Sequence, residues 1–245
     1  MLGTVINAGA IVAGGLAGLL LKKGVSAAHE DALNKALGLA VLITGLNGVI
    51  TAMIAVRPDG SLASGGELLL IVSLVLGTLA GELLRMDDKL GSLSGLVEKK
   101  LKLTGFAQSF VSGTLIYCVG AMAIIGALND GLRGDVSVLL VKSLLDGISS
   151  VVLCATLGPG VIFAAVPVFL YQGCITLLAG ALEPVLAGAL LTQICTVGYC
   201  LVVCIGINFL GMTKIKTANL LPALLVPPLW HGVQVLAALW QYRFA

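Results

Sequence analysis

Eight long apolar runs, separated by short stretches with charges, proline or glycine, set the pattern of this chain. Most approach the roughly 20 residues that a helix needs to cross a bilayer, and none alternates apolar and polar positions as barrel strands do. Helices satisfy their own backbone groups in lipid, so the pattern predicts helices. It indicates an all-α, polytopic transmembrane helical bundle in a single domain over 1–245, with spans at 3–21, 36–56, 68–84, 106–128, 136–156, 161–182, 186–211 and 218–239.

The basic residues between the runs predict the orientation of the helices. Ten Lys and Arg residues follow the first, third and seventh runs, three lie on the opposite side, and Lys142 lies inside a run. By the positive-inside rule, the first side is cytoplasmic and both termini face outward. About eight spans are expected, and six or seven stay open as alternatives if the proline-rich segment 222–228 is re-entrant.

Two stretches of the chain resemble each other. The sequence GGLAGLLL at 14–21 recurs as GTLAGELL at 77–84, with six of eight positions identical, and 38–47 resembles 120–129. This predicts tandem copies of a helical hairpin within 1–84 and 68–135, although Gly, Ala and Leu are frequent enough for chance matches. The polar segment 85–104 has leucines at helical spacing and is predicted to be a cytoplasmic amphipathic connector.

Composition agrees with a membrane protein and narrows its partners. The chain is 58% hydrophobic and 11% charged, against about 25% charged residues in soluble domains. The lipid bilayer is therefore the expected partner, and a net charge of +2 gives no reason to expect nucleic acid. The six cysteines lie in apolar segments without a C-x-x-C pair. Cys200 and Cys204 share a helix face, but no His accompanies them, so a metal or cofactor stays unknown.

The fifth run carries the candidate chemistry. Lys142 and Asp146 are four residues apart, on one helix face, with Ser149 and Ser150 on the same side. A charge at the bilayer centre costs about 2.5–3.5 kcal/mol on insertion scales, so such residues normally face a bundle interior or a wet cavity. These four residues are the predicted centre of a site for an ion or small polar solute.

Polar residues in other runs extend this candidate site. Asn7, Gln172 and Asn208 either hydrogen-bond between helices or line a shared wet interior, and the second interpretation is favoured when they are taken together with Asp146. The segment 129–135 is predicted to be an outward turn. Its polar residues are Asn129, Asp130 and Asp135. They form either an entrance that attracts cations or an ordinary solvated turn.

Three ordered stretches resemble a known family. They are the opening LGTVINAGAIVAGGLAG, the central KSLLDGISSVVLCATLGPGV with the following VPVFLYQGCITLLAG, and the late IGINFLGMTKIKTANLLPALLVPP. Over roughly 1–230 the chain resembles the DUF554 family of YqgA-like bacterial multi-pass membrane proteins. The resemblance implies an inner-membrane location and, on fold alone, a transporter, without implying a substrate. The C-terminal HGVQVLAALWQYRFA departs from the family pattern.

Two functions from different classes are compatible with these features. The favoured one is a transporter or exporter of an ion or small polar solute, with Asp146 at its centre. The alternative is a membrane scaffold or assembly protein in which Lys142 and Asp146 only neutralise each other. An enzyme is not expected, because the sequence has no H-E-x-x-H, G-x-S-x-G or P-loop motif. The substrate and oligomeric state, including a homo-oligomer, stay undetermined.

Overall fold

The structure, a computed structural model, is an all-α bundle and describes residues 1–22, 27–101, 105–186 and 188–234. Eleven labelled helices lie in this part of the chain: α1 Leu2–Lys22, α2 Ala27–Met53, α3 Glu67–Leu84, α4 Met86–Leu101, α5 Phe106–Cys118, α6 Ala121–Arg133, α7 Ser137–Leu157, α8 Gly160–Phe163, α9 Ala165–Leu177, α10 Ala179–Leu186 and α11 Ala189–Phe209. A 3₁₀ helix follows at Thr217–Leu225, and helical backbone continues over 226–234.

Six segments among the described residues are long and apolar enough to cross a membrane, and a seventh is obtained if α5 and α6 count as one bent span. This finding confirms the polytopic bundle. The number of spans, six or seven, lies within the expected range of six to eight. The six are Leu2–Leu21, Asn34–Met53, Glu67–Leu84, Ser137–Leu157, Gly160–Leu177 and Ala189–Phe209. The predicted eighth span, 218–239, begins as a 3₁₀ helix, and its last residues lie outside the described part of the chain.

The fourth apolar run is not one straight helix. The helices α5 and α6 meet at an angle of 60°, because Val119 is extended and Gly120 has φ +124°, a conformation that side chains rarely allow. After the bend, α6 continues to Arg133. The turn predicted over 129–135 is therefore wrong in extent: Asn129 and Asp130 belong to a helix.

A short antiparallel hairpin was not anticipated by the all-helical pattern. Strands β1 Ile54–Val56 and β2 Leu62–Ser64 pair with Ala55 opposite Ala63, so α2 ends at Met53 and not at residue 56. The hairpin is mostly exposed and only connects α2 to α3. It does not contribute to the bundle core.

Glycines determine which helices pair closely. A Cβ added to Gly14 or Gly18 of α1 would lie 2.1 or 2.3 Å from a backbone carbonyl oxygen of α7, so these two helices pack backbone to backbone. The equivalent glycines of the predicted second copy, Gly77 and Gly81, approach the 3₁₀ helix in the same way, within 2.3 and 1.9 Å. Both matching segments therefore supply a G-x-x-x-G contact surface, whereas the duplication itself stays a prediction.

The α1–α7 pair places the candidate site in the core. Residues 3, 14 and 18 of α1 face residues 139, 147 and 151 of α7 in turn, so the two helices run in the same direction. Helix α8 contacts both helices of this pair, and α9 packs on α1 and on α6. Helix α2 pairs with α11 on another side of the bundle.

Candidate functional site

The Lys142–Asp146 pair lies near the middle of α7 and faces the interior. The Lys142 ammonium nitrogen is 3.0 Å from Oδ1 of Asp146, in hydrogen-bond geometry, and 2.8 Å from Oδ2. Both residues are only 6% exposed, although neighbouring Leu144 and Leu145 are more than half exposed on the outer face of the helix. The one-face placement predicted from the spacing is therefore present.

Helices α1 and α9 bring two amides to this pair. Asn7 donates from Nδ2 to Oε1 of Gln172 at 3.2 Å, and both residues are fully buried. Asn7 also faces the Asp146 carboxylate. These four side chains, which we call the α1/α7/α9 cluster, thus come from three helices: Asn7, Lys142, Asp146 and Gln172.

The cluster contains buried polar atoms without hydrogen-bond partners. They are Oδ1 of Asn7, Oδ2 of Asp146 and Nε2 of Gln172. The Asp146 oxygen still has the Lys142 ammonium nearby, but the two amide atoms have no such compensation. Buried polar groups are normally satisfied, and leaving one unpaired costs about 1–3 kcal/mol. One acceptor, Oδ1 of Asn7, and one donor, Nε2 of Gln172, are therefore available to a water molecule, an ion or a polar solute, next to the carboxylate that Lys142 neutralises.

The two serines predicted for the site have different surroundings. Ser150 is fully buried, and its hydroxyl lies 2.7 Å from the hydroxyl of Tyr117 on α5. Ser149 is half-buried and donates to the backbone oxygens of Leu145 and Asp146, at 2.8 and 3.1 Å. Its hydroxyl is thus occupied within its own helix.

Sequence reasoning missed three buried polar residues near the cluster. Besides Tyr117, the hydroxyls of Thr4 and Thr176 lie 3.4 Å apart between α1 and α9. Thr4 precedes Asn7 by three positions and Thr176 follows Gln172 by four, so a polar stripe at helical spacing was readable on both helices. The threonines add a layer between the cluster and the first residue of α1.

The residues predicted as an entrance are only partly suited to that role. Asp130 is 7% exposed and accepts hydrogen bonds from the Met1 amino group at 2.8 Å and from the backbone N–H of Gly3 at 3.1 Å. Both of its oxygens therefore hold the start of α1 against α6. Asn129 is half-buried, and its backbone carbonyl accepts a hydrogen bond from the Asp135 N–H at 3.3 Å.

Asp135 is the exposed member of the predicted entrance. It accepts a hydrogen bond from the backbone N–H of Ser137 at 2.9 Å. Hydrogen bonds from the Ser137 hydroxyl and N–H, together with the charge of Arg133, lower the pKa of Asp135 from its usual value. Its position and negative charge agree with either an entrance or a solvated turn.

Asn208 does not belong to the α1/α7/α9 cluster. It lies at the end of α11, where its amide donates to the Ile215 carbonyl and accepts from the Ile215 N–H, both at 2.8 Å. The amide is therefore occupied in closing the loop after α11, and its predicted role in the Asp146 site is not supported by its location. Asn208 lines a separate cavity of about 520 Å³.

The described residues contain no group of three His, Cys, Asp or Glu side chains that could hold a metal ion. Cys200 and Cys204, considered as soft ligands, are half-buried free thiols in α11. The cluster instead offers carboxylate and amide oxygens, an amide N–H and an ammonium group, which suits binding of a polar solute.

A family model described as "Protein of unknown function (DUF554)" matches residues 2–231. The chain belongs to the DUF554 family. This DUF554 protein is 35% identical to the "Uncharacterized membrane protein YdfK" of Bacillus subtilis (strain 168), over 93% of this chain and 94% of the relative. It is 26% identical to the "Uncharacterized protein YqgA" of Escherichia coli (strain K12), over the full length of both. No solved structure matches this DUF554 protein.

Proposed function

We propose that this membrane protein is a transporter or exporter of an ion or small polar solute, and that the α1/α7/α9 cluster binds that solute. The observation that supports the proposal is a buried carboxylate beside two buried amides in the bundle interior, with Oδ1 of Asn7 and Nε2 of Gln172 lacking hydrogen-bond partners. Ionisable residues inside membrane bundles are costly and are commonly associated with substrate or ion pathways. A cluster that only joined helices would have little reason to keep unsatisfied atoms.

The oxygen atoms of the cluster favour a solute that can donate hydrogen bonds or that carries positive charge. Oδ2 of Asp146 and Oδ1 of Asn7 can accept hydrogen bonds or coordinate a cation, and Nε2 of Gln172 can donate to an oxygen of the solute. The Lys142 ammonium neutralises the carboxylate while no solute is bound. Binding of a cationic group would then compete with Lys142 for Asp146, which provides a means of alternating occupancy.

This role is binding and translocation without chemical conversion, so we propose no enzymatic activity. We also propose the bacterial inner membrane as the location, since the spans are helical and outer-membrane spans are usually barrels. Fractionation of the tagged protein with inner-membrane markers tests the location. Recovery with outer-membrane markers would contradict it.

A scaffold or assembly role is the second candidate, and one observation favours it. Lys142 and Asp146 pair within a single helix, at 3.0 and 2.8 Å, so they neutralise each other without help from another element. A structural pair of this kind needs no solute. The two candidates differ in whether the individual charges, and not just their sum, are needed for activity.

The transport proposal is tested with purified protein in proteoliposomes on solid-supported membranes. Concentration jumps of Na⁺, K⁺, Mg²⁺, Mn²⁺ and glycine are applied, and charge movement or the signal of an internal pH dye is recorded. We expect wild type to respond to at least one probe and the Asp146→Asn variant to lose that response. Asp135→Asn, the same chemical change at an exposed position, serves as the matched control and is expected to keep it.

A charge-swapped variant separates transport from a structural pair. Lys142→Asp/Asp146→Lys keeps both charges at i and i+4, so the pair can form again. If either group contacts the solute, the swapped protein folds but loses the response. A response that persists in Asp146→Asn, or full activity of the swapped protein, would contradict the assigned site and favour the scaffold role.

A further inference from the structure

A cavity lies at the other end of the bundle from Asp130, beneath the loop that follows α11. The cavity there has a volume of about 520 Å³ and lies between the starts of α4 and α5, the loop and the 3₁₀ helix. This volume is within the range of about 300–1,000 Å³ that is usual for ligand pockets. Polar side chains that line it include Asp87, Gln108, Ser112, Lys214, Lys216 and Thr217.

Asn208 holds the loop that forms one wall of this cavity. Its amide makes both a donor and an acceptor hydrogen bond with the backbone of Ile215, each 2.8 Å long. Ile215 is flanked by Lys214 and Lys216, and both lysines line the cavity. Asn208 and residues 213–218 thus form one side of the cavity, and the transport proposal does not use them.

The charge of the cavity favours an anion. Lys214 and Lys216 are exposed, and neither forms an ion pair with another residue in the described parts of the chain. Asp87 is the acidic residue in the lining, so the two lysines leave a surplus positive charge. Helix α5 also begins here, and Ala107 and Gln108 of its first turn line the cavity. The dipole of α5, whose positive end lies at this N-terminus, adds to the positive potential.

We propose that this cavity binds a phosphate-bearing anion. Hydroxyl groups of Ser112 and Thr217 and the amide of Gln108 are available in the lining to hydrogen-bond phosphate oxygens, and the two lysines supply the charge. The loop lies on the side that the positive-inside pattern predicts to be cytoplasmic. Both soluble phosphate compounds and anionic lipid headgroups occur there, and basic pockets between membrane helices are known to bind headgroups.

The test measures binding to purified full-length protein in two arms. In the soluble arm, inorganic phosphate, pyrophosphate and ATP are titrated and the melting temperature is followed. In the lipid arm, phosphatidylglycerol and cardiolipin are compared with phosphatidylcholine by native mass spectrometry. We expect Lys214→Ala/Lys216→Ala to lower affinity by about thirtyfold, because each lysine near an anionic ligand contributes roughly fivefold.

Two further variants make the result specific. Lys214→Arg/Lys216→Arg keeps the charge and is expected to bind within a few-fold of wild type. Lys35→Ala/Lys89→Ala removes two exposed lysines outside the cavity lining and is expected to leave affinity unchanged. These variants do not alter the α1/α7/α9 cluster, so failure here is distinguishable from failure of the transport proposal.

Each outcome decides one question. Loss confined to the lipid arm identifies a lipid headgroup, and loss confined to the soluble arm identifies a soluble phosphate compound. If neither arm detects binding by wild type, or if the Lys35/Lys89 control loses as much affinity as the Lys214/Lys216 variant, the site is rejected. The lysines would then act only in orienting the protein in the membrane.

Discussion

Adding one methyl group to the α1–α7 contact should destabilise the bundle, and Gly14→Ala is the most informative change. Its new Cβ would lie 2.1 Å from the Gly147 carbonyl oxygen, about 1.3 Å inside the 3.4 Å at which ordinary contact begins. The opposing atom is backbone, so it cannot rotate out of the way, and the helices must separate. The same contact surface holds Asn7 opposite Asp146, so the separation also disturbs the cluster.

The expected cost of this change follows from the overlap. Overpacking a close contact costs about 1–3 kcal/mol. For a protein of 150–250 residues, each kcal/mol lowers the melting temperature by about 2–4 °C, which gives a decrease of roughly 2–12 °C. Because Ala is the better helix former, the comparison should be with a Gly→Ala change that meets no neighbour. Gly9, on the same helix, has no atom within 4 Å of its added Cβ.

The assay is thermal unfolding in detergent, followed with a dye that reacts with newly exposed thiols. Cys154 and Cys195, which are buried in α7 and α11, are the reporters. We expect Gly14→Ala to melt several degrees below Gly9→Ala and Gly9→Ala to melt close to wild type. If Gly14→Ala melted at or above the Gly9→Ala temperature, the close α1–α7 contact would be refuted.

Three further predictions follow from individual contacts. Lys142→Met and Asp146→Leu should each lower the free energy of unfolding by about 3–5 kcal/mol, because the remaining charge is buried without its partner. The double variant should lose much less stability. Additive losses in melting temperature would show that the two residues are not coupled. Asn208→Ala should cost about 1–3 kcal/mol through two lost hydrogen bonds to the loop backbone and should increase tryptic cleavage there, and unchanged cleavage would argue against the loop contact. The pKa of Asp135 is lowered in the folded protein by the Ser137 hydroxyl and N–H, so its stabilisation is present above the ordinary Asp range and is lost as pH falls through the lowered pKa. Melting curves from pH 7 to 3 should therefore show a smaller acid-induced decrease for Asp135→Asn than for wild type, and identical decreases would contradict the linkage.

Much of the site could be predicted along individual helices. The four-residue spacing of Lys142 and Asp146 placed both on one face of a helix, and the structure confirms that this face is buried. The apolar runs likewise predicted α1, α3, α7 and α11 to within a few residues at both ends. These features depend on local periodicity and hydropathy, which are properties of the sequence itself.

Other features depended on contacts between distant segments. The Asn7–Gln172 hydrogen bond joins residues 165 positions apart, and neither hydropathy nor spacing indicates that α1 and α9 meet. Asn208 looked equivalent to Asn7 in the sequence, yet its amide is used by the backbone of its own loop. The bend at Gly120 was missed because glycine is so frequent in this chain that one residue gives no signal.

The sequence by itself determined that the chain is helical and belongs in a membrane, and which polar residues share a face within each span. A run of apolar residues has no better environment than lipid, and in lipid the helix satisfies its own backbone, so these outcomes need no tertiary contact. Only the tertiary structure decided which helices pair and therefore which polar residues meet. Lipid tails are as apolar as the side chains, so hydrophobicity does not favour one partner helix over another. The choice depends on shape: small residues such as Gly14 and Gly18 allow a close approach only to a helix that fits them.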